Sequence, residues 1–172
     1  GPSVTNDPMV APTPPEVVTP EGATPTGSIV YIRANNVYLT NATGSQARRL
    51  TSNGTTTLPY RGPSQSTAGI IAVARGRTIV LLSRTGALLK AIVPSSAHVV
   101  GTGDGTCTNT TSGYICGHGI TETALSPDGT KIAFTTDYYL YDRPDKFYFV
   151  RTCVYSTSTG QALSVSPGAH YG

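Results

Sequence analysis

The segment LSPDGTKIAF, residues 125–134, combines a tight-turn sequence with the first half of a β-strand. Pro127 presets its φ to the value needed at the first central position of a turn, and Gly129 takes a positive φ without steric cost. Ile132 and Phe134 then alternate toward one face of the strand that follows. The segment therefore predicts a hairpin leading into a half-buried strand.

Short β-branched and aromatic runs continue this pattern toward the N-terminus. Residues 29–33 (IVYIR) and 37–40 (VYLT) are separated by residues 34–36 (ANN), which is a turn sequence. No stretch repeats its apolar residues at helical spacing over three turns. The sequence predicts an all-β fold.

A strand, a polar turn ending in Thr-Gly and a second strand recur along the chain. The three copies are residues 37–50, 79–92 and 153–163. Gly44, Gly86 and Gly160 hold the equivalent position, where a hairpin turn needs a positive φ. The first two lie 42 residues apart, within the ~40–45 residues of a four-stranded propeller blade. The third lies farther along because of an insertion near residues 95–119 and a longer segment at 138–146.

These motifs resemble a known family. SPDGTKIAF closely resembles the SPDG-x-x-IAF signature of TolB-type β-propeller repeats, and RRLT at residues 48–51 is similar to the sequence that closes a blade there. The resemblance covers about residues 28–166 as three units, with a degenerate second copy at residues 63–65 and 70–73. It implies antiparallel four-stranded blades in a partial β-propeller. An unrelated β-sandwich with similar hairpins is the alternative.

The chain divides into two regions. Residues 1–27 hold seven of the 13 prolines. This composition predicts a disordered, flexible linker. Residues 28–172 form the TolB-like region. A propeller needs about four to eight blades to close and remove its exposed strand edges. We therefore expect this chain to be part of a longer protein or to assemble with another copy.

Positive charge is concentrated in residues 28–103, which contain eight Lys or Arg residues and no acid. This charge distribution predicts a positive surface potential that attracts an acidic protein face or an anionic envelope polymer. The alternative is that the charges are simply solvated. Nucleic acid is a less favoured partner because no aromatic-basic stacking platform recurs in this half. Arg75 and Arg77 are the preferred binding pair, since they would share a face across Gly76 in an extended strand.

The three cysteines predict an oxidising compartment. Cys107 and Cys116 lie in the polar insertion and are expected to form a disulfide, as in extracellular or periplasmic proteins. Cys153 lies in a strand and is expected to be a buried free thiol. Zinc binding by Cys107, Cys116 and His118 is disfavoured because the paired C-x-x-C spacing is missing.

An aromatic segment, residues 138–148, joins two strands of the last unit. Tyr138, Tyr139 and Tyr141 are candidate contacts for a peptide or a sugar, because tyrosine offers a rigid amphipathic surface. The alternative is an ordinary hairpin whose tyrosines pack on a neighbouring blade.

No sequence motif indicates catalysis. The chain lacks a G-x-S-x-G elbow and a phosphate-binding loop, and Asp128 is interpreted as a turn residue. It also lacks the run of ~18 apolar residues that spans a bilayer. We expect a non-enzymatic binding module with no cofactor or metal, which contacts a protein or an envelope polymer. The alternatives are an accessory propeller domain of a larger hydrolase and a structural surface spacer.

Overall fold

The computed structural model describes residues 27–111, 113–142 and 144–165, and the backbone of residues 169–171. These residues form strands, turns and loops, with no helix among them, which confirms the all-β prediction. The linker predicted for residues 1–27 lies outside the described residues except for Gly27. The strands are β1 Ser28–Arg33, β2 Asn36–Asn41, β3 Arg48–Arg49, β4 Tyr60–Gln65, β5 Ile71–Arg75, β6 Thr78–Leu82, β7 Leu88–Ile92, β8 Cys107–Thr110, β9 Gly113–Leu125, β10 Lys131–Asp142, β11 Asp145–Ser156, β12 Gln161–Ser164 and β13 Ala169–Tyr171.

The strands form three antiparallel sheets that follow chain order. The first sheet is β1-β2-β3, the second is β4-β5-β6-β7, and the third is β8-β9-β10-β11-β12, with β13 also paired to β11. The second sheet thus has the four strands expected of a blade. The third differs because the cysteine insertion supplies β8 as an additional strand next to β9.

The second sheet lies between the other two, and its central strands β5 and β6 are buried on both faces. This follows from its sequence, because β5 (IAVAR) and β6 (TIVLL) are nearly continuous apolar runs rather than alternating ones. One face packs on the first sheet through Val37, Leu39, Ile71, Val73, Val80 and Leu82. The other face packs on the third sheet through Ala72, Ala74, Ile79, Leu81, Ile120, Ile132 and Phe134. The described residues therefore form an open stack of three sheets.

Strands β1, β4 and β9, one from each sheet, lie side by side. Strand β4 contacts β1 on one side and β9 on the other. The hydroxyl of Thr123 in β9 donates a hydrogen bond to the carbonyl oxygen of Gly62 in β4 at 2.6 Å. A Cβ on Gly62 would lie 2.6 Å from the carbonyl oxygen of Thr121 and closer still to the Cα of Glu122. A side chain at residue 62 would therefore force β4 and β9 apart.

The Thr-Gly repeats fold as equivalent hairpin turns. Gly44, Gly86 and Gly160 have φ values of +79°, +88° and +69°. The turns connect β2 to β3, β6 to β7 and β11 to β12. Each turn therefore leads into the strand at one end of the strand order of its sheet. The backbone N–H of each glycine donates to the carbonyl oxygen three or four residues earlier. The sequence repeat is thus a repeat of local structure.

The turn at SPDG forms as predicted. Gly129 has a φ of +74°, and the carboxylate of Asp128 accepts hydrogen bonds from the Thr130 N–H at 3.0 Å, the Ser126 hydroxyl at 2.7 Å and the Thr130 hydroxyl at 2.8 Å. These bonds, the Thr130 backbone bond foremost, lower the pKa of Asp128 to about 2. Asp128 therefore closes the turn between β9 and β10.

Candidate functional site

The three longest strands continue past the packed core as a projecting ribbon. Strands β9, β10 and β11 have 13, 12 and 12 residues. The part of β10 that contains Ile132 and Phe134 is buried in the core, whereas residues 137–142 are half-buried or exposed. We use the name ribbon for residues 113–119, 137–142 and 145–150. Its two faces differ because side chains alternate along each strand.

A disulfide fastens β8 to the ribbon. Cys107 and Cys116 lie directly opposite each other in β8 and β9 and are bonded, with their Cα atoms 4.1 Å apart. Cys153 is a free, buried thiol. Both cysteine predictions are confirmed. Because Cys116 lies opposite Tyr139 of β10, the disulfide lies beside the aromatic residues of one ribbon face.

That face carries four tyrosines and a lysine, which we name the tyrosine face: Tyr114, Tyr139, Tyr141, Tyr148 and Lys146. Tyr139 is opposite Tyr148, while Tyr141 is opposite Tyr114 on one side and Lys146 on the other, so all five project the same way. The Tyr139 ring centroid lies 4.7 Å from that of Tyr148 and 6.3 Å from that of Tyr141. Tyr114 and Tyr141 remain 47% and 39% exposed.

Lys146 and Asp137 supply charge on this face. The Lys146 ammonium nitrogen lies 4.5 Å from the Tyr139 ring centroid and 5.3 Å from that of Tyr141, a cation–π arrangement. At the base of the face, Asp137 accepts a hydrogen bond from the Tyr148 hydroxyl at 3.0 Å. Its other carboxylate oxygen is buried without a hydrogen bond from any described residue and lies 3.4 Å from Nδ1 of His118.

The ribbon's irregular pairing places His118 in this cluster. Register shifts in the β9–β10 pairing fall between Thr135 and Thr136 and between Asp137 and Tyr138, and leave His118 without a partner residue across the pair. Its imidazole stands edge-on to Tyr139 at 6.0 Å. From the sequence alone, His118 is a candidate only for a disfavoured zinc site. The sequence carries no local signal of this bulge.

The structure separates the three tyrosines that the sequence grouped. Tyr139 and Tyr141 lie on the tyrosine face, whereas Tyr138 lies on the opposite face and stacks on Phe149 at 4.7 Å. Because successive side chains of a strand point to opposite faces, their adjacency in the sequence would already have placed Tyr138 and Tyr139 on different faces. Identifying Tyr148 as a further member required the β10–β11 register.

The preferred arginine pair has a different geometry from the one expected. Strand β5 ends at Arg75 and β6 begins at Thr78, opposite it, with Gly76 at φ +59°. The premise of a continuous strand is therefore wrong, because the chain turns between the two arginines. Arg75 donates to the carbonyl oxygen of Asn53 at 2.6 Å, and Arg77 donates to that of Gly101 at 2.8 Å. Both guanidinium groups thus tie loops to this hairpin.

Within the described ranges, no three His, Cys, Asp or Glu side chains converge in a way that could hold a metal ion. No helix in that part of the chain is long and apolar enough to cross a bilayer. Comparison with protein-family models and with curated protein sequences finds no match.

Proposed function

We propose that this chain is a non-enzymatic binding module of an extracellular or periplasmic protein, and that the tyrosine face contacts a protein or an envelope polymer. The observation that carries the proposal is the row of tyrosines on one face of a projecting ribbon, with Tyr114 and Tyr141 substantially exposed. Tyrosine supplies a rigid surface that is apolar on its ring and polar at its hydroxyl. Such side chains are enriched at the energetic centres of binding surfaces.

Preorganisation supports this role. The disulfide between Cys107 and Cys116 and the ring contacts of Tyr139 restrict the ribbon before a partner arrives. A surface that is ordered in advance loses less conformational entropy on binding. The disulfide also fits an oxidising compartment, which is the basis for placing the protein outside the cytoplasm.

We also propose that the open stack is part of a TolB-type β-propeller. Supporting features are the sandwiched second sheet, the adjacent strands β1, β4 and β9 from the three sheets, and the equivalent Thr-Gly turns. The outward face of the third sheet carries a row of small and apolar side chains from paired strands. This row consists of Ala124, Ala133, Val154 and Leu163. A further blade would pack against such a row.

The test measures binding of the protein to a panel of immobilised polysaccharides and peptides by biolayer interferometry. We expect at least one class to bind, and the double substitution Tyr114→Ala with Tyr141→Ala to weaken it about tenfold or more, the loss typical of buried aromatic anchors. The matched control is Tyr31→Ala in β1, a tyrosine that stacks on Tyr38 far from the ribbon. Equal losses in both variants, or no binding across the panel, would contradict the proposal.

A further inference from the structure

A cavity of about 440 Å³ opens between the second and third sheets, at the edge where β7 and β12 lie. It is separate from the tyrosine face, because β12 pairs with the opposite end of β11 from the ribbon. The lining residues that matter here are Lys90, Ile92, Pro94, His98, Tyr155 and Ala162. The volume is in the range of small-molecule sites.

A buried phenol lies in this cavity. Tyr155 is only 7% exposed, and its hydroxyl has no hydrogen-bond partner among the described residues. The hydroxyl oxygen lies 3.8 Å from the place a Cβ would take on Gly160, which also lines the cavity. The hydroxyl oxygen itself is not sealed from solvent, so it can donate a hydrogen bond to an acceptor atom of a ligand that enters the cavity.

His98 is oriented by two neighbours. Its Nδ1 lies 3.2 Å from the Ser164 hydroxyl oxygen and 3.7 Å from the Cys153 sulfur. Each of these groups can donate a hydrogen bond to Nδ1 or accept one from it, depending on the tautomer. Because Nδ1 is turned toward Ser164 and Cys153, the opposite side of the ring is left for the cavity. His98 thus offers Nε2 as a second polar atom, and a bound carboxylate selects the tautomer with the ring hydrogen there.

The charge of the lining is positive. Lys90 contributes an ammonium group, and no acidic side chain of the described residues lines the cavity. Ile92, Pro94 and Ala162 supply an apolar wall beside these donors. An anion with an apolar body fits this lining, because the lining combines a cation and polar side chains with hydrocarbon.

From this arrangement we infer that the cavity binds a small organic carboxylate. The carboxylate accepts hydrogen bonds from Tyr155 and His98 and pairs with Lys90, while the apolar part packs on Ile92 and Ala162. The inference is independent of the tyrosine face, since none of these residues belongs to it. The site would add a small-molecule function to the binding module.

The experiment titrates the full 172-residue chain with benzoate and with its neutral isostere benzamide, followed by two-dimensional amide NMR. We expect saturable shifts at Ile92, His98 and Ala162 with benzoate, and about tenfold weaker binding of benzamide, which lacks the charge. Equal affinity for both probes, shifts that map elsewhere, or no saturable shift would overturn the inference.

Two variants and their controls test the assigned donors. Tyr155→Phe should weaken benzoate about tenfold, whereas Tyr31→Phe should not. Lys90→Gln, at an exposed position that does not affect folding, should weaken benzoate several-fold and reduce its salt dependence, unlike Lys131→Gln. Unchanged benzoate affinity in Lys90→Gln would overturn the inference even if Tyr155→Phe failed to fold.

Discussion

The contact between β4 and β9 predicts an unusually large effect of Gly62→Ala. Residue 62 has a φ of +51°, which costs an alanine about 1–2 kcal/mol. The added methyl group would also lie 2.6 Å from the carbonyl oxygen of Thr121, where ordinary contacts begin near 3.4 Å. Relieving that overlap requires the two strands to separate by at least about 0.8 Å, since the Cα of Glu122 lies closer still.

That separation affects bonds between the sheets. The hydrogen bond from the Thr123 hydroxyl to the Gly62 carbonyl is 2.6 Å long and would stretch to about 3.4 Å, beyond the roughly 2.5–3.0 Å of an O–H···O bond. Overpacking of this kind costs about 1–3 kcal/mol, and a lost hydrogen bond about 1 kcal/mol. With the backbone strain, we expect Gly62→Ala to lower the free energy of unfolding by about 3–6 kcal/mol.

The chain offers a matched control in Gly44→Ala. Gly44 has a φ of +79°, but a Cβ there would meet nothing within 4 Å, so only the backbone strain of about 1–2 kcal/mol applies. Urea denaturation of the oxidised protein, followed by far-UV circular dichroism, measures both variants. If Gly62→Ala is within about 0.5 kcal/mol of Gly44→Ala, β4 and β9 do not approach each other as described.

Further predictions concern the core, the SPDG turn and the free thiol. Phe134→Ala should cost about 3–5 kcal/mol because the ring is 1% exposed, whereas Leu163→Ala, 71% exposed, should change stability by about 0.5 kcal/mol or less in the same denaturation assay. Because the folded pKa of Asp128 is about 2, below its ordinary 3.8, its stabilisation is present above about pH 4 and is lost as the pH falls toward 2. Asp128→Asn should therefore reduce the loss in the free energy of unfolding between about pH 4 and pH 2. An unchanged loss in this variant would contradict its assignment to Asp128. Mass spectrometry after alkylation should find Cys153 labelled only once the unreduced protein is denatured, and labelling of a second cysteine would contradict the disulfide.

Local features were readable from the sequence because they depend on a few neighbouring residues. Pro127 and Gly129 restrict their own φ values, and the glycines of the Thr-Gly turns are needed wherever φ is positive. The nearly continuous apolar runs of β5 and β6 likewise predict strands covered on both faces. The disulfide was predictable from two cysteines in one short polar insertion.

The candidate sites depended on strand register and sheet stacking, which local sequence does not specify. A shift of one residue in a strand exchanges its two faces, so only the pairing of β10 with β9 and β11 separates Tyr138 from Tyr139 and brings in Tyr148. The turn at Gly76 separates the two arginines by reversing the chain. The cavity joins Lys90 with Tyr155, which are distant in sequence and meet because the second and third sheets pack face to face. Turns and strands follow from restrictions on single residues, whereas these sites follow from non-local contacts that form only when the sheets assemble.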